Sequence, residues 1–396
     1  MESLDKWINN NGKEGDCSDI DWDFPNARGD KTSYLTHGLI TYSSKYIPQI
    51  PHNLILKYTN KRDLILDPFV GSGTTLIESR ILDRISIGID INPYSTLISF
   101  VKTLTISPEL ENEIRYNYST ILDYINSFRS QIKNIPNIHS YQELDLDNRL
   151  YDITFINRLY SKSNLNELLI IKSAIQKIDN YLIKNIFNFI LFGILRKVSF
   201  LTSNFGNDYV PRNQEKKSDV LKEFTNYYKF TLNKIKEYSS KFNSDEIYSS
   251  TILGDSRKIP LRNETIDFIV THPPYISAIP YAEYFKLELI WMGLNPNKLD
   301  NILIGGKRSS KDVVDRFNEG MKQSFDEMNR VLKTNKYACV VIGNPKVKGE
   351  IVKSNEEFKK IATDSSFIFV KEIERQKMDC SHAWMKKEYI LIFKKE

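Results

Sequence analysis

The chain has 396 residues, 41% of them hydrophobic and 27% charged, ordinary proportions for a folded globular protein. Its length suits one large α/β domain with an insertion, or two domains. The net charge of +5 is too small to argue for nucleic acid alone, and no apolar run reaches the ~18 residues that span a bilayer. Neither the opening Met-Glu-Ser-Leu-Asp, which is no signal peptide, nor the spacing of Cys17, Cys339 and Cys380 indicates export or metal, so a cytoplasmic protein is expected.

The elements alternate at first. Leu64 to Asp67 reads as a short buried strand, Thr74 to Leu82 as a helix, and Ile85 to Asp90 as a second strand. Asn92-Pro93 opens another helix, with proline where its missing N–H costs nothing. Helical periodicity then dominates Leu110 to Ile132, Leu165 to Ile178, Leu182 to Phe200 and Val220 to Phe242, with almost no glycine. Residues 108–244 are therefore expected to form a helical insertion in a domain built from 1–107 and 245–396. Alternation returns with strands ending at Asp255 and Thr271, helices at Tyr281 to Met292 and Val313 to Leu332, a strand at Tyr337 to Ile342 and a helix at Glu356 to Thr363. Phe367 to Glu374 and Glu388 to Lys394 suggest a closing antiparallel pair. The sum is a doubly wound, seven-strand α/β sheet interrupted after its second βα unit.

Two strings carry the chemistry. In Asp67-Pro68-Phe69-Val70-Gly71-Ser72-Gly73-Thr74-Thr75 a strand runs into a glycine turn and a helix start, at the sheet edge where such folds bind ligands. Gly71 and Gly73 allow close backbone approach, and Thr74 with the free helix N–H groups suits an anionic group. Asp90, ending the next strand, lies where a ribose diol would bind. The same residues also suit a plain tight turn with a helix cap. They make neither a Walker loop nor the dinucleotide fingerprint, whose spacings are missing.

The second string is Thr271-His272-Pro273-Pro274-Tyr275. An exocyclic amine is a poor nucleophile because its lone pair is delocalised, so acceptors that hold its hydrogens help to free that pair. The Pro273 carbonyl and His272 supply two acceptors on a stiff diproline corner, and Tyr275 offers a face for stacking a base. Together the strings suggest group transfer onto a nucleobase.

Asp67 to Thr75 resemble the cofactor motif of the S-adenosylmethionine-dependent DNA amino-methyltransferases, which implies a Rossmann-like class I methyltransferase sheet. The resemblance covers residues 25–105 and 250–396. It implies S-adenosylmethionine as cofactor, held by Lys45, Asp67, Phe69, Gly71, Gly73, Thr74 and Asp90, with Asp255 accepting from the adenine amine. The stretch Thr36-His37-Gly38, Lys45 and Tyr46 to Pro51 resembles the family segment that packs over the methionine end. The threonine before His272 and the residues after Tyr275 look most like the Ser-Pro-Pro-Tyr, cytosine-N4 branch, with adenine-N6 enzymes the alternative. His272, Pro273, Pro274 and Tyr275 are then the catalytic set, but the family usually has Asp, Asn or Ser where this chain has His272. A neutral imidazole accepts through one nitrogen, and a protonated one not at all.

Implied partners are double-stranded DNA and a cognate restriction endonuclease, with no membrane and no metal. Arg196, Lys197, Arg212, Lys307 and Arg308 lie in or beside polar loops that could reach phosphates or base edges, and the insertion is the candidate target-recognition element. Two other readings stay open: a tRNA guanine-N2 methyltransferase, which shares a similar motif pair, and a catalytically silent DNA-binding subunit. Phe285 and Trp291 are expected in the core, Asp267 in a structural role, and His37, His52, His139 and His382 in no ligand set.

Overall fold

The computed structural model describes residues 20–43, 45–132, 150–201, 209–211, 218–242, 247–276, 280–306, 312–347, 349–376 and 387–396. Seven strands form one sheet: β1 Leu64–Asp67, β2 Ile85–Asp90, β3 Ser249–Leu253, β4 Ile266–Thr271, β5 Leu332–Gly343, β6 Phe367–Gln376 and β7 Lys387–Lys395. Their spatial order is β3-β2-β1-β4-β5-β7-β6. The first five run parallel, while β7 pairs antiparallel with both β5 and β6. The order reverses beside β1, so the carboxyl ends of β1, β2 and β4 open on one crevice.

Parallel strands covered on both faces should carry continuous apolar runs, and the central strands do: Ile65-Leu66 of β1, Phe268 to Val270 of β4 and Ala338 to Ile342 of β5 are buried. Ile65 of β1 faces one layer with Phe268, Val270, Cys339 and Val341. Its neighbour Leu66 faces the other, with Ile269, Val340 and Ile342. Helix α1, Gln49–Tyr58, covers the first face through Ile50, Leu54 and Ile55.

Helices α2 Thr74–Ile81 and α3 Pro93–Thr103 follow β1 and β2. Asn92 caps α3 by accepting from the Tyr94 amide at 3.0 Å. Between α3 and β3 the described elements are all helices: α4 Pro108–Ile132, α5 Ile153–Leu159, α6 Lys162–Gln176, α7 Tyr181–Ile194 and α8 Val220–Ser239. The most apolar is α7, which buries Ile183, Ile186, Phe187, Phe189, Ile190, Leu191, Phe192 and Ile194 among its neighbours. These helices share one core with Tyr94, Ile98 and Val101 of α3 and with Leu287, Leu289 and Ile290 of α9, Lys286–Trp291. They therefore pack directly on the sheet-covering helices.

Where one continuous helix was expected at Tyr281 to Met292, a single turn at Tyr281–Tyr284 precedes α9. The break falls at Phe285, whose buried ring is wedged against Tyr42, Tyr94 and Tyr284. Helices α10 Pro296–Ile302, α11 Val313–Val331 and α12 Ser354–Asp364 complete the fold, with Phe317, Phe325 and Phe358 buried on the second sheet face. Phe285 and Trp291 are core residues as expected, and Asp267 is structural: it accepts from the Leu64 amide at 3.0 Å and from Lys333 at 2.8 Å. Among the described residues no helix is long and apolar enough to cross a membrane.

One contact ties the helical layer to the segment ahead of the sheet. The Tyr227 hydroxyl of α8 donates to the Leu39 carbonyl at 2.7 Å, and its ring packs against Gly193 of α7. A Cβ at position 193 would stand 2.0 Å from that ring. Gly193→Ala should therefore lower the free energy of unfolding by about 1–3 kcal/mol through overpacking, read from urea denaturation; an unchanged midpoint would show that the α7–α8 contact yields freely.

Candidate active site

The crevice at the carboxyl ends of β1, β2 and β4 is a cavity that brings the two motif corners together. One wall carries Asp67, Phe69, Gly71, Thr74 and Asp90, and the opposite wall carries His272 and Pro274. Lys45, Asp255, Tyr42, Tyr46 and Tyr281 complete the lining.

The glycine corner needs its glycines. Gly71 and Gly73 adopt φ of +47° and +79°, in the left-handed region that side chains avoid. A Cβ on Gly73 would come within 3.0 Å of Ser99 Cα and Cβ, so α2 can enter close beside α3 only with glycine there. Asp90 takes the Gly71 amide at 3.0 Å and the Asn92 amide at 2.9 Å, which aims its carboxylate into the turn. Burial raises the Asp90 pKa to about 6, the backbone hydrogen bonds acting the other way.

Asp67 joins the corners. Its carboxylate accepts from the Phe69 amide at 3.1 Å, from the Thr271 hydroxyl at 2.6 Å and from the Thr75 hydroxyl in a very short bond. Thr75 in turn meets the Tyr46 hydroxyl, also at very short range, and the Tyr46 ring stacks on His272 with centroids 5.2 Å apart and planes 11° from parallel. Burial lifts Asp67 to about 6 against the hydrogen bonds from Thr271, Thr75 and Phe69. Asp67 is thus a buried structural anion at the floor of the cavity.

The segment from Tyr34 to Pro51 roofs the cavity and is pinned to α2 by Glu78. That fully buried carboxylate accepts from Tyr34 and His37 at 2.6 Å each and from His52 at 2.7 Å. Burial alone would raise its pKa, but the His37 and His52 hydrogen bonds hold it down at about 2. Burial also lowers His37 to about 4, so this contact joins a neutral imidazole to an anion and is a hydrogen bond, not an ion pair. Thr36 adds a 2.6 Å bond to the Lys102 carbonyl of α3, and Lys45 donates to the His37 carbonyl at 3.1 Å. Sequence reasoning missed this cluster, although two histidines flanking the Tyr46 segment were its one visible signal.

Three expectations need correction. Tyr275 was expected to offer its ring to a base, but the ring is 6% exposed and lies in the core with Ile276 and Ile342, its hydroxyl turned toward Glu388 at 3.2 Å. Tyr46 and Tyr281 line the cavity instead. Pro273 is likewise buried, while Pro274 borders the space. Arg196 was expected to reach phosphate, but it is buried: it donates to the Tyr284 carbonyl at 3.4 Å, lies 4.5 Å over the Tyr209 ring and sits 3.8 Å from Glu288. Burial raises Glu288 to about 7, opposed by Arg196, so this cation serves an internal acid.

Lys197 stays exposed and pairs with Glu223 at 2.6 Å. Arg212, Lys307 and Arg308 lie outside the described residues, as do Cys17, Cys380, His139 and His382. Asp255 lines the cavity, yet Arg257 grips it through two nitrogens at 2.6–3.1 Å, a partner its sequence neighbourhood only hinted at. Among the described residues no group of three or more His, Cys, Asp or Glu is placed to hold a metal ion.

A seven-strand sheet with a reversed strand beside β5 and a glycine corner at the carboxyl end of β1 define a class I, S-adenosylmethionine-type fold. A family model described as DNA methylase, covering N6 and N4 enzymes, matches residues 2–100 and 266–396, and the chain belongs to that family of amino-methyltransferases. The interval it leaves out holds α4 to α8 and β3. The Type II methyltransferase M.MjaII of Methanocaldococcus jannaschii is 24% identical, over 90% of this chain and 79% of its own. M.MvaI of Kocuria varians is 25% identical, over 88% and 86% respectively. M2.MboI of Moraxella bovis shares 47% identity over 62 residues, 16% of this chain and 23% of its own.

The cofactor of this family is S-adenosylmethionine, and the residues present fit it. The carboxylate of Asp90 keeps acceptor sites beyond the two amides it already holds, as a diol requires. Lys45 and the amino end of α2 put positive potential at the other end of the cavity, where an amino-acid carboxylate would lie.

The Glu78 cluster makes a direct demand. Glu78→Ala leaves two buried imidazoles and a phenol without their acceptor. Unfolding should become easier by about 1–3 kcal/mol for each donor left unsatisfied, with cofactor affinity falling as the roof loosens, as read by thermal melting and calorimetry. A variant of unchanged stability would remove Glu78 as the pin.

Proposed function

We propose that this protein methylates the N4 amine of cytosine in duplex DNA, as the modification enzyme of a restriction–modification system. The observation that carries the reading is the single cavity walled by the glycine corner and the diproline corner. The Thr-His-Pro-Pro-Tyr string and its sequel favour the N4 branch, and the Type II relatives favour the defence context.

Bound S-adenosylmethionine would supply an electrophilic methyl group. Asp90 would hold its ribose, Phe69 and Asp255 its adenine, and Lys45 with Thr74 its carboxylate end, while Gly71 and Gly73 let the backbone come close. On the other wall His272 would accept an amine hydrogen, and the partly exposed Tyr281 would take the stacking role first given to Tyr275. Extracting a base from the duplex costs a few kcal/mol, which stacking and these hydrogen bonds must offset. The reaction needs no covalent enzyme intermediate. Helices α4 to α8, with exposed Lys197, would form the element that chooses the target sequence. Exchanging them with a relative's should move the methylated site.

Incubating the protein with duplex DNA or tRNA and methyl-labelled cofactor, then identifying the nucleosides by mass, decides the assignment. N4-methylcytosine from DNA is expected. N6-methyladenine would transfer the chain to the other branch, and label confined to tRNA, or absent, would reject the reading. His272→Ala should cut turnover by about 100-fold or more while cofactor binding survives, and His272→Ser should retain activity.

Proton and ribose compete for Asp90. Its raised pKa of about 6 means that the free carboxylate is protonated at lower pH, so cofactor affinity should weaken as pH falls through 6. Asp90→Asn should bind weakly with no such inflection in a calorimetric pH series; an inflection surviving the substitution would assign the titration elsewhere.

A further inference from the structure

Asp255 reaches the cavity already engaged with Arg257, two residues further on. The loop that carries both follows β3 and is fixed on several sides. The Gly254 amide donates to the Asp90 carbonyl at 3.0 Å, the Lys258 amide donates to the Asp255 carbonyl at 2.9 Å, and the Ser256 hydroxyl meets that of Ser324 on α11 at 2.9 Å. Within this frame Arg257 folds back on Asp255. Its backbone amide and its Nε each donate to Oδ1 at 2.9 Å, Nε also reaches Oδ2 at 3.1 Å, and Nη2 donates to Oδ2 at 2.6 Å. The same Nη2 donates to the carbonyl of Ile302, the last residue of α10, at 2.7 Å.

The acceptor count on Asp255 is informative. A carboxylate offers about four acceptor sites. Oδ1 spends two, on the Arg257 amide and Nε, while Oδ2 spends one on Nη2 and shares Nε at longer range. One site remains, on Oδ2, and Asp255 borders the cavity. A guanidinium fork fixes the plane of the carboxylate, whereas a single ammonium would let it turn. Arg257 also secures an apolar wall. Ile302, Leu303 and Ile304 border the cavity together with Asp255, Ser256, Arg257 and Phe69. This strap is held at its start by Nη2 of Arg257 and at its end by Arg316, whose Nη2 donates to the Gly306 carbonyl at 3.1 Å. A Cβ at position 306 would stand 2.0 Å from the Asp300 carbonyl oxygen, so the turn closes this tightly only with glycine. The Arg257 and Asp255 side chains are 28% and 33% exposed, and so exposed a pair adds little to stability.

We propose that Arg257 is a positioning residue for the cofactor: it fixes Asp255 so that one Oδ2 site accepts the purine amine, and it ties the Ile302–Ile304 strap in place as the apolar wall for that purine. One guanidinium then sets both the polar and the apolar contact at this end of the cavity, and the protein selects a 6-aminopurine. The inference rests on the placement of the adenine at Asp255 proposed above, and is independent of which base is methylated.

The test is calorimetric binding to the full chain, with no turnover required, of S-adenosylhomocysteine and of its analogue with hydrogen in place of the 6-amine. Wild-type protein should prefer the amine-bearing ligand by roughly 10–100-fold. Arg257→Met keeps most of the stem and removes the fork; it should melt like wild type, bind S-adenosylhomocysteine more weakly and lose most of that preference. Arg257→Lys, which keeps the charge without the fork, should not restore the preference, and it carries the test alone if Arg257→Met fails to fold. A preference left intact by Arg257→Met or by Arg257→Lys overturns the proposal. Asp255→Asn separates the two layers of the argument: it should also lose the preference. A wild type that ignores the amine, or a preference that survives Asp255→Asn, would reject the placement of the adenine and the role of Arg257 with it.

Discussion

One buried carboxylate holds the cavity in register. Asp67 sits at the end of the central strand, where burial argues against a charge, and it is kept there by donors from three directions. Thr75 comes from the helix after the glycine corner and Thr271 from the strand before the diproline corner. Because both hydroxyls end on the same anion, the two walls cannot separate without leaving it short of donors. Tyr46 extends the network to the roof through Thr75 and to the far wall through its stack on His272. The spacing between donor-side and acceptor-side residues is thus set by hydrogen bonds to one group.

A second buried anion, Glu78, does the same for the roof. Its partners Tyr34, His37 and His52 belong to the segment ahead of the sheet, which has little regular structure before α1. Such a segment would otherwise have only modest apolar burial to hold it in place. Fastening it through three donors to one helix lets it carry Tyr42, Lys45 and Tyr46 over the cavity at fixed height.

The helical layer follows a different logic. Its core is apolar aromatic and aliphatic packing continuous with α3 and α9, and a deep ion pair, Arg196 with Glu288, lies inside that packing. This is why a residue that looked like a phosphate contact is unavailable for one. Helix α9, which begins at Lys286 in the stretch after the diproline corner, packs in the layer's core and so links the layer to the wall that carries His272. A shift in one would be felt by the other through Phe285 and Tyr284.

The sequence by itself determined the sheet and the two motif corners that the fold brings to one cavity. Leu64 to Asp67, Ile85 to Asp90 and Ile266 to Thr271 are short apolar runs ending in polar residues, and local patterning is enough to read them, together with the glycine and diproline turns. Helices α1 and α5 escaped that reading, because Pro51, His52 and Asn53 in one and the shortness of the other blur the helical period. Only the tertiary structure decided which polar groups meet: Asp67 with Thr271 across 204 residues, Tyr275 with Glu388 across 113, Arg196 with the Tyr284 carbonyl across 88. Backbone propensity acts between near neighbours, whereas the burial of a charge or phenol depends on groups that folding brings from far along the chain. For that reason the motifs were visible in advance, while the partners of Tyr275 and Arg196, and with them their roles, were not.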